Sequence, residues 1–267
     1  YLSHVLMQVA SNQRPGVLCI GGLDPSGGAG LQADIEAIAH CGGHALPIAT
    51  CLTVQNSHKA YSINAVADEI IQQQAKILLE DMEVLACKIG VIPNPEVALV
   101  ISSILEQLTG IPVVLDPVLK ASHGVSFVDT PTLNIIRDSI LPKVTVITPN
   151  HAELNQLAEG DQSIADKAVR LCQSGPQYAL VTGADTATDN IKNLFANAQG
   201  IIKHYDYNRL PNSYHGSGCT LSSALACYLA RSLEVSKAVG QAQDYTMQTL
   251  VNADRPGHGQ YIPRRII

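Results

Sequence analysis

VLCIGGLDPSGGAGLQADIEAIAH, residues 17–40, changes its period midway, and that change decides the fold. Residues 17–22 are apolar or glycine, the pattern of a strand buried on both faces. Glycine and proline then break the run. From Gly30 the apolar residues Leu31, Ile35 and Ile38 recur at helical spacing. Strand, glycine loop and helix form one unit of an α/β sheet, and similar units follow. Residues 45–54 contain a strand, 68–80 an amphipathic helix and 84–89 another strand, and Pro95 suits the first turn of the next helix. The apolar stretches 113–115 and 144–147 read as strands ending at Asp116-Pro117 and Thr148-Pro149-Asn150. Residues 164–172 are helical, and 178–182 form a strand that ends in Thr182-Gly183. Residues 191–196 and 201–207 read as an edge hairpin, and helices at about 220–231 and 235–251 close the chain. The expectation is one α/β domain over 17–267, a three-layer α/β/α sandwich with a mostly parallel central sheet. Residues 1–16 form an extension, and the hairpins or the 45–56 segment form a small flap.

Composition agrees with a sheet covered on both faces. Of the 267 residues, 46% are hydrophobic and only 15% charged, and the mean hydropathy is +0.12. The formal charge of -6, without a basic block, disfavours nucleic-acid binding, which needs clustered Lys and Arg. No apolar stretch is long enough to span a bilayer, and 1–16 lacks the cationic start of a signal peptide. Seven cysteines form no CxxC pair, so a reducing cytoplasm fits better than a disulfide framework. Cys19, Cys51, Cys87, Cys172 and Cys227 read as buried thiols.

Sheets of this kind bind ligands beyond the carboxyl ends of their strands, and the informative residues collect there. They are Gly22 and Asp24, Lys88 to Gly90, Asp116, Asn150 and Glu153, and Thr182-Gly183. The strongest local signal is SYHGSGCTLS, residues 213–222. Gly216, Ser217 and Gly218 would present successive amides at a helix start, a concave anion site suited to a transferring phosphoryl group. An ordinary glycine-rich loop is the alternative. Cys219, at the helix start, is expected to have a lowered pKa and to accept a proton from an attacking hydroxyl. Otherwise it is packing. GGLDPSGGAG, residues 21–30, is neither a Walker A loop nor the dinucleotide fingerprint, but it permits close backbone approach. Asp24 there either caps the turn or meets a ligand. Asn150 and Glu153, with Asp116, offer oxygen ligands for Mg²⁺, although the same spacing makes a capping box. His40 and His44 lack partners for a zinc site.

In order along the chain, DPSGGAGLQADIEA, LTVQN, KIG, VLDPV, TPNHAEL and HGSGCTL resemble the hydroxymethylpyrimidine and phosphomethylpyrimidine kinases, of ribokinase-like fold. The resemblance spans about residues 17–265. It implies an ATP- and Mg²⁺-dependent kinase that phosphorylates 4-amino-5-hydroxymethyl-2-methylpyrimidine and then its monophosphate. By position, Gly216 to Cys219 match the anion hole, with Cys219 where most ribokinase-like enzymes carry the catalytic Asp. Lys88 matches a lysine near the phosphate path. Asn150 and Glu153 match the motif for Mg²⁺ and phosphates, and Asp116 lies near the same ion. Gln55 matches the pyrimidine-reading glutamine, and its carboxamide complements an amino group beside a ring nitrogen. Asp34, Val91 and Val118 fall at acceptor-pocket positions, alongside Gly22 and Asp24. One departure is VTGAD at 181–185, where many relatives carry a Lys and a following His. Thr182 and Gly183 are still expected to meet ATP phosphate by hydroxyl and amide. The family also implies a homodimer. Pyridoxal kinase is the nearest alternative, and a non-catalytic pyrimidine or nucleotide sensor is one of another class.

Overall fold

The computed structural model describes residues 13–119 and 128–267; most of the expected extension, 1–12, lies outside the described residues. Strand β1 (Gly16–Leu23) shows why the sheet is covered twice. Leu18 and Ile20 enter one apolar core while Val17 and Cys19, on the opposite face, enter another, and all four are fully buried. Helix α1 (Gly30–His40) buries Ala37 and Ile38 in the second core. Its strand-to-helix order is that expected from residues 17–40.

The remaining elements follow in chain order. They are β2 (His44–Gln55), β3 (Ala60–Ala65), α2 (Asp68–Asp81), β4 (Val84–Ile89), α3 (Pro95–Gln107), β5 (Val113–Leu115) and α4 (Thr130–Ile135). Then come β6 (Val146–Ile147), α5 (His151–Leu157), α6 (Ile164–Ser174), β7 (Tyr178–Val181), β8 (Asn190–Asn197), β9 (Gly200–Asn208), α7 (Ser217–Ala230) and α8 (Val235–Val251). The sheet order is β3-β2-β1-β4-β5-β6-β7-β8-β9. Strands β2, β1 and β4 to β7 pair in parallel; β3 caps one edge antiparallel, and the β8–β9 hairpin caps the other. Helices α1, α7 and α8 pack on one face, and α2, α3 and α6 on the other. Pro95 stands in the first turn of α3 behind an Asn94 cap, as expected.

Three elements differ from the sequence reading. β6 holds only Val146–Ile147 of the expected 144–147, because the Val144 amide turns back to the Leu141 carbonyl. β3 was not expected: its residues AYSINA carry no clear apolar alternation, since most of them are solvent-facing on an edge strand. α4 and the π and 3₁₀ turns that continue it to Lys143 were also not foreseen. From β1 the chain moves outward to β2 and β3, then returns to place β4 on the other side of β1. That reversal opens a crevice at the carboxyl ends of β1 and β4.

Candidate active site

Two glycine loops interlock above this crevice. Gly216, the N-cap of α7, has φ +83°, and a Cβ there would come within 1.9 Å of the Gly28 carbonyl oxygen. A Cβ on Gly28 would in turn meet the His215 ring at 2.2 Å. Both positions therefore require glycine. Asp24 organises the first loop: its carboxylate accepts from the Ser26 amide and hydroxyl at 2.8 Å, from the Ala29 amide at 2.9 Å and pairs with His215 Nε2 at 2.7 Å. Burial works against its charge, but His215 and Ser26 outweigh it and bring Asp24 to about 2. Of the two roles the sequence left open for Asp24, the capping one is present. Its carboxylate is occupied by the loop, although the residue borders the cleft.

A cleft of about 530 Å³ opens here, and Gly22, Lys88, Asp116, Ser217, Gly218 and Cys219 line it. Lys88 is 1% exposed and binds both oxygens of Asp34 at 2.8 and 3.1 Å. Burial opposes its charge, yet Asp34, Cys219 and Asp116 hold it well above the usual lysine value. Asp34 also accepts from Ser223 Oγ at 2.7 Å and is fully buried. It stands behind the cleft wall as the anchor of Lys88, a correction to its expected place in the acceptor pocket.

Cys219 brings a further correction. Burial pushes its thiol up to about 12; Lys88 pulls downward, while Asp116 and Asp34 push further up. The helix start does not prevail over these opposing effects, so the expected low pKa is absent. The neighbouring Asp116 is raised as well, by burial against the pull of Lys88, although Cys219 and Ser222 favour its charge. Ser222 Oγ approaches the same carboxylate at 3.4 Å.

Across the cleft, Asn150 caps α5. Its Oδ1 accepts from the Glu153 amide, and the Asn150 amide donates to Glu153 Oε2, both at 2.9 Å. The capping box is thus present, but it does not consume both residues, since each still lines the cleft. Burial, then Asp116 and Asp185, push Glu153 up to about 8. The charge of Asp116 is part of what raises Glu153, and two such neighbouring carboxylates fit a cation between protein and phosphate. Among the described residues no group of three or more His, Cys, Asp or Glu could hold a metal alone. Thr182 lines the cleft, but Gly183 does not meet it as expected: its amide donates to Asn193 Oδ1 at 2.9 Å. The neighbouring Asp185, not singled out in the sequence, accepts from the Ala152 amide at 3.1 Å and borders the site. Gln55, Val91 and Val118 also line the cleft, with Gln260 from the C-terminal segment.

The phosphomethylpyrimidine kinase family model matches residues 24–264. The chain belongs to that family. It is therefore a kinase of ribokinase-like fold. The hydroxymethylpyrimidine/phosphomethylpyrimidine kinase of Synechococcus elongatus is 33% identical over 252 residues, covering 92% of this chain and 95% of that protein. The probable chloroplastic thiamine biosynthetic bifunctional enzyme of rice is 31% identical over 242 residues, which are 88% of this chain but 44% of the rice protein. This chain thus spans less than half of that relative's length. Among solved structures, the pyridoxal kinase of Staphylococcus aureus with AMP-PCP and pyridoxal superposes with a TM-score of 0.85 at 22% identity, over 95% of this chain and 94% of that one. The Clostridium difficile phosphomethylpyrimidine kinase gives 0.75 at 27% identity, over 89% of this chain and 100% of that one.

Proposed function

We propose that this cleft transfers the γ-phosphoryl group of ATP to 4-amino-5-hydroxymethyl-2-methylpyrimidine, and then to the resulting monophosphate. One observation carries the reading: the Gly216 to Cys219 turn at the start of α7, the carboxylates Asp116 and Glu153, and Gln55 all border a single cleft. Backbone amides fixed before reaction stabilise the phosphoryl group without reorganising. Lys88 adds a permanent charge beside them. Asn150, Glu153 and Thr182 face the nucleotide end, with Glu153 and Asp116 as the residues that would hold Mg²⁺. Bound Mg²⁺ would neutralise phosphate charge. Gln55, Val91 and Val118 form the acceptor end, where the carboxamide meets the aminopyrimidine edge.

In the first reaction the acceptor O–H bond breaks as its oxygen bonds phosphorus and ADP leaves. The proton passes to Cys219 Sγ while the thiol proton moves to Asp116, so no standing thiolate is required. In the second, an ionised phosphate oxygen attacks and needs no base. All seven cysteines are free, in keeping with a reducing cytoplasm. The enzyme works as a homodimer.

Comparing ATP turnover on the alcohol, its monophosphate and pyridoxal tests the substrate assignment. Both pyrimidines should be preferred. A preference for pyridoxal of about tenfold or more in kcat/KM, roughly 1.4 kcal/mol of transition-state binding, would overturn it.

A further inference from the structure

Arg265 is 1% exposed, and the phosphoryl-transfer chemistry leaves it unused. A guanidinium presents five donors in one plane, and here they are shared among the Gly27–Gly28 loop, the first turn of α7 and Glu36. Nε donates to Thr220 Oγ1 at 2.8 Å. Nη1 donates to the Gly27 carbonyl at 3.3 Å and Nη2 to the Gly28 carbonyl. Nη1 also pairs with the Glu36 carboxylate at 3.2 Å. Thr220 Oγ1 then donates to the Gly216 carbonyl at 2.8 Å, continuing the line from Arg265 into the left-handed turn. A Cβ at Gly216 would lie 2.9 Å from Nη2, so the guanidinium sits directly behind that turn.

The segment carrying Arg265 is itself anchored. The Arg265 carbonyl accepts from Tyr245 Oη at 2.8 Å, and the Arg264 amide donates to the Thr249 carbonyl at 3.0 Å. Upstream, the His215 amide donates to the Tyr261 carbonyl at 2.8 Å and the Tyr261 amide to the Ser213 carbonyl at 2.9 Å. The C-terminal segment therefore runs beside the loop that enters α7 and fixes its other side.

We propose that Arg265 is a positioning residue for phosphoryl transfer. Through Thr220 it holds Gly216 in its left-handed turn, and through Gly27 and Gly28 it fixes the distance between the loops. Together these set the aim of the Gly216 to Cys219 amides. A burial role alone would need neither the fork nor the Thr220 hydroxyl. The inference rests on the reading of residues 216–219 as the phosphoryl site.

The test is single-turnover transfer to the pyrimidine alcohol with ATP and Mg²⁺ saturating, with steady-state KM and thermal melting alongside. Arg265→Met and Thr220→Val should each slow transfer about 10–100-fold, as a small misplacement of catalytic donors does, with acceptor KM within about threefold. Arg265→Lys keeps the charge but not the fork, and should fall between Met and the parent. A folded Arg265→Met protein with the parental transfer rate overturns the proposal, as does a rate loss matched by an equal rise in KM. If Arg265→Met does not fold, Thr220→Val decides, and an unchanged rate overturns the proposal. Gly218→Val separates the two readings. Should it block transfer while Arg265→Met does not, only the positioning role falls; should it leave transfer intact, both readings fall.

Discussion

Cys219 stands at the start of α7, where unpaired amides favour a thiolate, yet its pKa rises to about 12. A helix terminus contributes of order 1 kcal/mol, whereas burial and the neighbouring carboxylates act together in the opposite direction. The sequence showed the helix start but not Asp116 and Asp34 beside it, since these come from the turn after β5 and from α1. If the thiol relays a proton, Cys219→Ala should slow transfer to the alcohol by about 10²-fold or more and leave transfer to the monophosphate much less affected. Single-turnover assays on both acceptors measure this, and equal losses would reduce Cys219 to a packing group. Asp24 makes a different prediction. Its folded pKa, about 2, lies below the ordinary 3.8, so its stabilising effect is full above about pH 4 and is lost as pH falls towards 2. Asp24→Asn should cost about 2 kcal/mol at neutral pH, and the gap to the parent should close in melts below about pH 3.

Among the elements, β1, α1, β4, β5, α6 and the two closing helices were legible because their apolar periods are long or their ends are marked by Gly and Pro. β3 was not, since an exposed edge strand needs no apolar face. The five strand ends were readable as a site, but what each residue does there was not. Gly183 shows why: its amide is claimed by Asn193 from β8, a contact that no local motif announces. Arg265 was invisible for the same reason, as its partners are carbonyls far along the chain. At α5 the capping box is present, and the proposed metal role of Glu153 can be separated from it. Glu153→Gln retains an oxygen for the Asn150 amide, so melting should barely change. Activity at low Mg²⁺ should fall and recover in part as Mg²⁺ is raised. Because Glu153 titrates near 8, Mg²⁺ should bind the parent more tightly as pH rises from about 6 to about 9, and this rise should flatten in the variant. An unchanged Mg²⁺ dependence would leave Glu153 as a cap alone.

At the scale of the whole molecule, the open edge of the sheet at β3 calls for a cover. Natural edge strands are usually blunted by charge, proline or a covering element. β3 reads AYSINA, with no charge and no proline, and its outer side has no pairing strand among the described residues. Leu52, Val54 and Tyr61, on the same hairpin, are 50%, 54% and 54% exposed. Side chains of this size lose solvent contact favourably when a second surface covers them. A second copy of the chain is the occupant that the proposed homodimer would place there. The β2–β3 hairpin also carries Gln55, so the same contact would steady the acceptor end of the cleft. Light scattering should give twice the 28.4 kDa chain mass at working concentration. Val54→Lys, with its charge on the exposed face, should shift the mass towards that of one chain and raise acceptor KM more than it lowers kcat. A parent protein at 28.4 kDa would refute the dimer, and a Val54→Lys protein that keeps the double mass would move the interface away from this edge.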